Sequence, residues 1–382
     1  MDENQMARLR GIGFGPALAQ RTEACRGIEA QDCEPMRVLE VHRETLRLHR
    51  GDVECSARVL PRLGRELEDR QTALATGDWV LAGRDAYGAC WVHEQVAPLS
   101  HIARRDSDGR THAIVSNVDT ALVLMGLDDD FNLRRLERFL ALVQDSEVQP
   151  VIVLTKADIA AAAPPRLETC LDALRARLPG NVDVLTVNAT APAAALALEP
   201  YLAAGQTLVL LGSSGAGKST LTNALVGAAV QDTGAVRVSD GRGQHTTTSR
   251  CLFRLPGGAC VIDTPGVRTL GPAGNDASLG ASFGDIDRLR MTCRFRNCRH
   301  AEEPGCAVRA GVDADRLRNY HKLLRELRRH GMSPPGGPKG EYRSARHAGR
   351  PIRALERRQQ VAEWKARAKA GAARLKAKRG ED

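Results

Sequence analysis

One stretch of the sequence has the residue types and spacing of a phosphate-binding loop. It runs from Gly212 to Ser219 and fits the pattern G-x-x-x-x-G-K-[ST] at every fixed position. The glycines let successive backbone N–H groups point at phosphate oxygens. Lys218 is placed to bridge the β- and γ-phosphates, and the hydroxyl of Ser219 is placed to ligate Mg²⁺. An apolar run precedes the loop and a helical run follows it, so the sequence predicts a nucleoside triphosphate site.

A second motif distinguishes between nucleobases. It runs from Thr155 to Asp158, directly after the apolar run Val151–Leu154. A carboxylate at Asp158 can accept two hydrogen bonds from N1–H and the exocyclic amine of guanine. Adenine offers no such pair, so a buried carboxylate would stay unpaired against it. Lys156 would lie over the base and ribose, and the backbone of Asn188-Ala189 would approach guanine O6. The motif predicts specificity for guanine.

Two further segments offer groups for the γ-phosphate and its metal. Asp263, at the end of the apolar run CVID, would hold Mg²⁺ through water, and the N–H of Gly266 would sense the γ-phosphate. The polar run Gly243–Thr248 has hydroxyls that can act as those of a switch loop do. The predicted magnesium residues are Ser219, Thr248 and Asp263. The whole predicted GTP site comprises Thr155, Lys156, Ala157, Asp158, Asn188, Ala189, Gly212, Ser213, Ser214, Gly215, Ala216, Gly217, Lys218, Ser219, Thr220, Thr248, Asp263 and Gly266.

The motif Thr155–Asp158, which is predicted to recognise guanine, is called the guanine reader below. The order of the motifs is unusual, because in ordinary GTPases the phosphate loop comes before the guanine reader in the sequence. The same loops can assemble if the chain has been cut and rejoined, since compact domains tolerate permutation. Position 267 is Val, where many GTPases have a Gln that orients the attacking water. We therefore expect slow hydrolysis by the free protein. His245 is the candidate catalytic residue in the chain, with packing or RNA contact as the alternative role.

A cluster of cysteines and one histidine follows the nucleotide motifs. Cys293, Cys298, His300 and Cys306 have the spacing C-x4-C-x-H-x5-C. Three thiolates and one imidazole are the ligand set of structural zinc, and a site filled by protein ligands leaves no position for metal catalysis. The chain has ten cysteines, and most of the others lie among apolar neighbours as small buried hydrophobes.

The elements that must position these residues differ along the chain. Residues 1 to 35 show no sustained period and are expected to form an irregular or partly ordered extension. From Met36, five or so short alternating runs predict a small β-barrel, of the oligonucleotide-binding or the SH3-like type. From about Ala113, continuous apolar runs alternate with helical runs such as Leu133–Asp145, which predicts a doubly wound α/β domain. A helical run over Ala314–Arg329 follows the Cys/His cluster.

Composition and charge narrow the class of protein. The chain has 382 residues, 42% of them hydrophobic, and neither a long apolar run nor a secretory signal, so we expect a cytoplasmic protein. The net charge is +9, and the segment from Glu341 to Asp382 holds 13 Lys/Arg against 5 Asp/Glu. Together with four arginines of the barrel, this positive charge favours RNA as a partner. Because the barrel has few aromatic residues for stacking on bases, we expect it to contact the RNA backbone. The arginines are Arg58, Arg62, Arg65 and Arg70, and the barrel aromatics are Trp79, Tyr87 and Trp91.

Together these motifs closely resemble the circularly permuted ribosome small-subunit-dependent GTPase A family (RsgA/YjeQ). The resemblance covers roughly Met36 to Arg329 and includes the GRGQHTTT-type run and the Cys/His cluster. It implies a barrel of oligonucleotide-binding type, a zinc-bearing helical C-terminal domain, and GTP hydrolysis stimulated by the small ribosomal subunit during its late maturation. The family often carries Asn where Thr155 stands, so weaker guanine affinity is expected.

The resemblance divides the chain into five parts. They are an N-terminal extension (1–35), an OB-fold β-barrel (36–105), a circularly permuted P-loop GTPase domain (106–280), a zinc-binding helical domain (281–335) and a basic tail (336–382). The expected partners are GTP or GDP and the small ribosomal subunit with its rRNA, bound by a monomer. Two other functions remain open: an RNA-binding module with a regulatory nucleotide sensor, and an ATP-dependent enzyme.

Overall fold

The structure, a computed structural model, describes most of the chain before the basic tail. The described residues are 3–27, 30–105, 111–144, 146, 148–161, 164–178, 182–191, 193–231, 249–266, 279 and 282–331. The predicted catalytic residue His245 and the predicted magnesium residue Thr248 lie outside them, as do Val267 and the basic tail.

The N-terminal segment is helical, so the expectation of an irregular extension was wrong. Helices α1 (Glu3–Arg10) and α2 (Pro16–Cys25) flank a glycine-bearing turn. The segment buries four large apolar side chains, each at most 1% exposed: Leu9, Ile12, Phe14 and Leu18. Helices of 8 and 10 residues make only about two to three turns, which is too short for a sustained hydrophobic period to show in the sequence.

A buried arginine ties this segment to the two domains that follow. Arg37 of the first strand is fully buried and donates hydrogen bonds to the backbone oxygen of Ile12 and, at 3.1 Å, to that of Asn117. Its guanidinium also lies 5.7 Å from the ring centre of Trp79, against which Phe14 packs edge-on. The N-terminal segment is therefore part of the folded core.

Five strands form a closed barrel. They are β1 (Glu34–Val41), β2 (Leu46–His49), β3 (Glu54–Val59), β4 (Trp79–Arg84) and β5 (Cys90–Val96), hydrogen-bonded in the order β1-β2-β3-β5-β4. Pairing of β1 with β4 closes the barrel, β3 runs parallel to β5, and helix α3 (Pro61–Asp69) connects β3 to β4. This is the oligonucleotide-binding type of barrel, which decides between the two types that periodicity left open.

A two-stranded hairpin, β6 (His101–Arg105) with β7 (Thr111–Ser116), leads into a six-stranded sheet. Its strands are β8 (Thr120–Gly126), β9 (Gln149–Thr155), β10 (Asp183–Thr186), β11 (Thr207–Gly212), β12 (Cys251–Arg254) and β13 (Cys260–Asp263). They lie in the order β10-β9-β8-β11-β13-β12, and only the edge strand β12 runs antiparallel to its neighbour.

Helices cover both faces of this sheet. They include α4 (Leu133–Gln144), α5 (Ala157–Ala161), α6 (Pro164–Arg175), α7 (Ala193–Leu198) and α8 (Lys218–Val226). Alternate strand residues point into two separate apolar clusters, since Val209 belongs to one and Leu208 to the other. The doubly wound prediction is confirmed. The carboxyl ends of β8, β9 and β11 meet at one edge, where ligands bind in sheets of this kind.

The C-terminal helices α9 (Gly284–Arg290), α10 (Ala307–Gly311) and α11 (Ala314–Gly331) pack around Phe283 and reach Ala141 of α4. A buried ion pair joins the two regions: Arg316 donates to Glu137 of α4 at 2.6 Å, and both side chains are at most 4% exposed. Arg316 also pairs with Asp285 at 2.7 Å and lies over the Phe283 ring. Within the described residues, no helix has the length and apolar character needed to cross a membrane.

Candidate nucleotide and metal sites

The phosphate loop lies between β11 and α8, as the sequence predicts. Gly215 and Gly217 have φ of 81° and 85°, in the left-handed region that glycine adopts at little cost. Gly217 directly precedes the first turn of α8, whose unpaired N–H groups attract anions. Lys218 is 6% exposed and folds back over the loop, donating to the backbone oxygens of Gly212 at 3.1 Å and Ser213 at 2.7 Å.

Two of the three residues expected to face Mg²⁺, Ser219 and Asp263, meet beside this loop. Ser219 Oγ donates to Asp263 Oδ2 at 3.4 Å, and Asp263 is fully buried at the end of β13. Among the described residues, its other carboxyl oxygen has no hydrogen-bond partner. Burial raises the pKa of Asp263 to about 6 although Lys218 opposes this, and burial lowers the pKa of Lys218 to about 8. A buried, half-satisfied carboxylate beside a hydroxyl suits a hard divalent cation.

Gly266 lies against the phosphate loop. A Cβ at this position would come within 2.6 Å of Ser214 N and 2.7 Å of Ser214 Cα, both backbone atoms. Only glycine allows this approach. Gly266 is thus held against the backbone of the phosphate loop.

The guanine reader is fixed to the phosphate loop by Thr155. This residue is fully buried at the end of β9, and its hydroxyl donates to the backbone oxygen of Ala216 at 2.8 Å. The hydroxyl therefore links the two motifs directly, and a threonine suffices for that. Asp158 is exposed, so its carboxylate would be enclosed only by a base and not by the protein itself.

The loop after β10 lies beside the guanine reader. Val187 N donates to Leu154 O at 2.8 Å, and Ala157 N donates to Val187 O at 3.4 Å. Asn188 Oδ1 accepts from the backbone and hydroxyl of Thr190, which turns the chain. The structure thus brings Asn188 and Ala189 next to the residues predicted to bind the base.

Two carboxylates that the sequence analysis did not single out also contact the site. Asp128 forms an ion pair with Lys156, which has a left-handed φ of 59°, and Asp130 accepts from the hydroxyl of Ser213. Burial alone would raise the pKa of Asp128, but the Lys156 ammonium holds it below its usual value. Both lie in the loop between β8 and α4, at the sheet edge that binds ligands. Their position directly after an apolar strand is the feature of the sequence that could have identified them.

The Cys/His cluster comes together as predicted. The four candidate ligand atoms of Cys293, Cys298, His300 and Cys306 lie within 4.8 Å of one another. Cys293 Sγ lies 3.9 Å from Cys306 Sγ and 3.6 Å from His300 Nδ1, and His300 Nδ1 lies 3.4 Å from Cys306 Sγ. A tetrahedral Zn²⁺ with bonds of about 2.3 Å to sulfur and 2.0 Å to nitrogen requires separations of roughly 3.8 and 3.5 Å. The geometry fits a metal of this kind.

The four barrel arginines are not equivalent. Arg62 pairs with Glu66 and Glu94, each at 2.7 Å, and Arg70 also approaches Glu66. Arg58 and Arg65 are exposed. Of the barrel aromatics, Trp79 is fully buried and Tyr87 is 96% exposed. The basic and aromatic surface of the barrel is therefore smaller than the sequence suggested.

Comparison with known proteins identifies the family of this chain. The RsgA GTPase family model matches residues 96–273. The chain is 43% identical over 302 residues to the small ribosomal subunit biogenesis GTPase RsgA of Xanthomonas axonopodis pv. citri (strain 306), covering 77% of this chain and 80% of that protein. The protein of the same name from Xanthomonas campestris pv. campestris (strain B100) is 42% identical over the same shares.

Two solved structures share the fold. YjeQ from Thermotoga maritima superposes with a TM-score of 0.55 at 21% identity, over 77% of this chain and 98% of that one. YloQ, described as a circularly permuted GTPase, gives 0.51 at 20% identity, over 81% of this chain and all of that one. The chain belongs to the RsgA GTPase family and is a GTP-hydrolysing enzyme.

Proposed function

We propose that this GTPase acts in the biogenesis of the small ribosomal subunit, hydrolysing GTP to GDP and phosphate with turnover stimulated by the subunit. The observation that carries the proposal is a permuted GTP site joined to an oligonucleotide-binding barrel. Relatives 42–43% identical to the chain are named as GTPases of small-subunit biogenesis. A barrel of this type suits a partner made largely of RNA.

In this proposal the nucleotide is held by two groups of residues. The N–H groups of Gly212–Thr220 and the Lys218 ammonium bind the phosphates, and Thr155–Asp158 with Asn188 and Ala189 bind guanine. Ser219, Asp263 and Thr248 hold Mg²⁺, the first two because they already meet and one buried carboxyl oxygen of Asp263 is unsatisfied. When bound, Mg²⁺ neutralises charge that develops on the phosphates.

Hydrolysis needs a group that orients the attacking water, and valine at position 267 has none to offer. We assign this role to His245 in the subunit-bound protein, where an imidazole can accept a proton from water. A His245→Ala variant that keeps full subunit-stimulated turnover would exclude the assignment.

The Cys/His cluster is proposed to hold one structural Zn²⁺ through Cys293, Cys298, His300 and Cys306. Burial lowers the pKa of His300, which favours the neutral imidazole that a metal requires. Because four protein ligands fill the site, the metal would fold this region and take no part in hydrolysis.

The proposed partner contacts are electrostatic. The exposed barrel residues Arg58 and Arg65 and the basic tail of residues 339 to 382 would neutralise rRNA phosphates, which makes binding salt-dependent and largely independent of sequence. The protein would act as a monomer in the cytoplasm, where ribosomal subunits assemble. Deletion of the tail should weaken subunit binding and reduce its salt slope.

The decisive experiment measures GTP turnover with purified small subunits and, as a control, with large subunits. We expect acceleration by small subunits alone, and competition of GTP binding by GDP but not by ATP. Tight GTP binding with no acceleration would instead indicate a regulatory nucleotide sensor. Competition by ATP would exclude guanine specificity.

A further inference from the structure

The barrel contacts the GTPase sheet at the edge strand β12. Strand β1 packs beside β12, and a β-bulge between Val38 and Glu40 places Glu40 opposite Arg47. The Glu40 side chain is 10% exposed. One of its carboxyl oxygens accepts from the hydroxyl of Ser249, and the other pairs with Arg47 at 2.9 Å. Bulges often re-aim a side chain in this way, and here the result is a carboxylate shared by two domains.

A second contact lies next to the first. Thr76, just before β4, donates through its hydroxyl to the backbone oxygen of Arg250 at 3.2 Å. The next residue, Gly77, has φ of 94°, and a Cβ there would lie 3.2 Å from Ile262 Cδ1 and 2.2 Å from Ser116 O. The barrel therefore presses against both strands at this edge of the sheet.

These strands carry the barrel contacts to the nucleotide site. Cys251 of β12 faces Asp263 of β13 in the sheet register, and Ile262 directly precedes Asp263. Ser249 lies two residues before Cys251 and follows the polar run Gly243–Thr248 in sequence. A shift of Glu40 would thus displace the strand that pairs with the proposed magnesium residue.

We propose that Glu40 is a positioning residue: by holding Ser249, it couples occupancy of the barrel to the catalytic edge of the GTPase sheet. The inference rests on the proposed function, because it assumes that a subunit bound at the barrel stimulates turnover. The barrel acts on hydrolysis through Ser249 and β12.

The test compares four variants with the wild-type protein. Ser249→Ala removes only the link to Glu40, and Glu40→Gln removes the shared charge. Ser249→Thr keeps the hydroxyl. Glu54→Gln is the matched control, because Glu54 pairs with the same Arg47 at 3.2 Å, is 52% exposed and lies on β3.

We expect Ser249→Ala and Glu40→Gln to lower subunit-stimulated kcat about tenfold, equal to about 1.4 kcal/mol. Basal turnover and the subunit concentration that gives half-maximal stimulation should each stay within about twofold of the wild-type value. The charge-assisted hydrogen bond that is lost, between Ser249 and Glu40, lies away from the predicted nucleotide-binding residues. Ser249→Thr and Glu54→Gln should match the wild type. Independently of activity, amides of Cys251–Arg254 should exchange hydrogen faster in the first two variants only.

Two results would overturn the inference. In the first, small subunits stimulate the wild type and the Ser249→Ala variant equally, and hydrogen exchange of the β12 amides is the same in both proteins. The other is an equal loss in Glu54→Gln, which would indicate a general effect of barrel charge. A wild type that no subunit stimulates would instead refute the proposed function, and the hydrogen exchange would then be the remaining measure of the Glu40–Ser249 link.

Discussion

Replacing Arg316 by methionine should loosen the C-terminal helices from the GTPase domain. The guanidinium donates to Asp285 at 2.7 and 2.8 Å, to Glu137 at 2.6 Å and to Ser282 O at 3.1 Å. Glu137 is 3% exposed, and without Arg316 it retains a hydrogen bond from Asn319 and Arg177 at 3.6 Å. Removing one partner of a buried pair costs about 3–5 kcal/mol, and we expect about 3 kcal/mol here because these two contacts compensate part of the remaining charge. At about 2–4 °C per kcal/mol, the unfolding temperature should fall by roughly 6–12 °C.

The assay is thermal unfolding followed by fluorescence, together with limited proteolysis between residues 266 and 331. Arg318→Met is the matched control, since Arg318 lies on the same helix, is 68% exposed and forms a surface ion pair with Asp315 at 3.3 Å. It should cost less than about 1 kcal/mol. The double variant Arg316→Met with Glu137→Met should recover part of the loss, because no buried charge then remains at position 137. Equal unfolding temperatures for Arg316→Met and Arg318→Met would refute the reasoning.

Three further predictions concern other parts of the chain. Thr155→Val should raise the GDP dissociation rate about fivefold or more, because a buried Ala216 carbonyl left without its hydrogen bond costs about 1–3 kcal/mol. Thr155→Ser keeps the hydroxyl and should leave the rate unchanged. The dissociation of a fluorescent GDP analogue measures both rates. Burial raises the pKa of Asp78 from 3.8 to about 6, so the folded protein binds this proton more tightly than the unfolded chain does. The protonated carboxyl therefore adds to the free energy of unfolding below pH 3.8, and this contribution is lost as the pH rises to about 6. Urea unfolding should show that Asp78→Asn removes this loss; a parallel pH profile for both proteins would contradict it. Cys306→Ser should lower bound metal from one per chain to none by atomic emission, whereas Cys33→Ser, remote from the cluster, should leave it unchanged.

The sequence was sufficient for features set by local pattern. The phosphate loop and the guanine reader each combine a fixed motif with an adjacent apolar strand, so their positions at strand ends could be predicted. The Cys/His cluster was predictable because ligand chemistry demands those residues together. The barrel type was not, because alternation identifies strands without showing which strands pair.

What the sequence did not reveal depends on residues distant along the chain. Glu40 meets Ser249 and Arg316 meets Glu137 across separations of 209 and 179 residues, and no local pattern marks such pairs. The exposure of Asp158 also followed from the fold, since the protein leaves open the space that a base would fill. From the sequence, Thr155 could only be compared with the Asn that the family often carries, which predicted weaker guanine affinity. The contact of its hydroxyl with the phosphate loop depends on the fold.

The buried N-terminal segment has a consequence for synthesis. A side chain at Gly13 would begin 3.2 Å from the Thr207 hydroxyl, and one at Gly11 would begin 3.1 Å from Arg254, so this segment rests on strands made much later. At about 5–20 residues per second, Arg254 emerges roughly 12 to 48 s after Gly13. Until then the barrel can offer Phe14 only the Trp79 side of its native surroundings, and the surface from the GTPase sheet is missing. The first helices made are among the last to complete their contacts, and a nascent chain of this protein offers partly uncovered apolar side chains to chaperones throughout that interval.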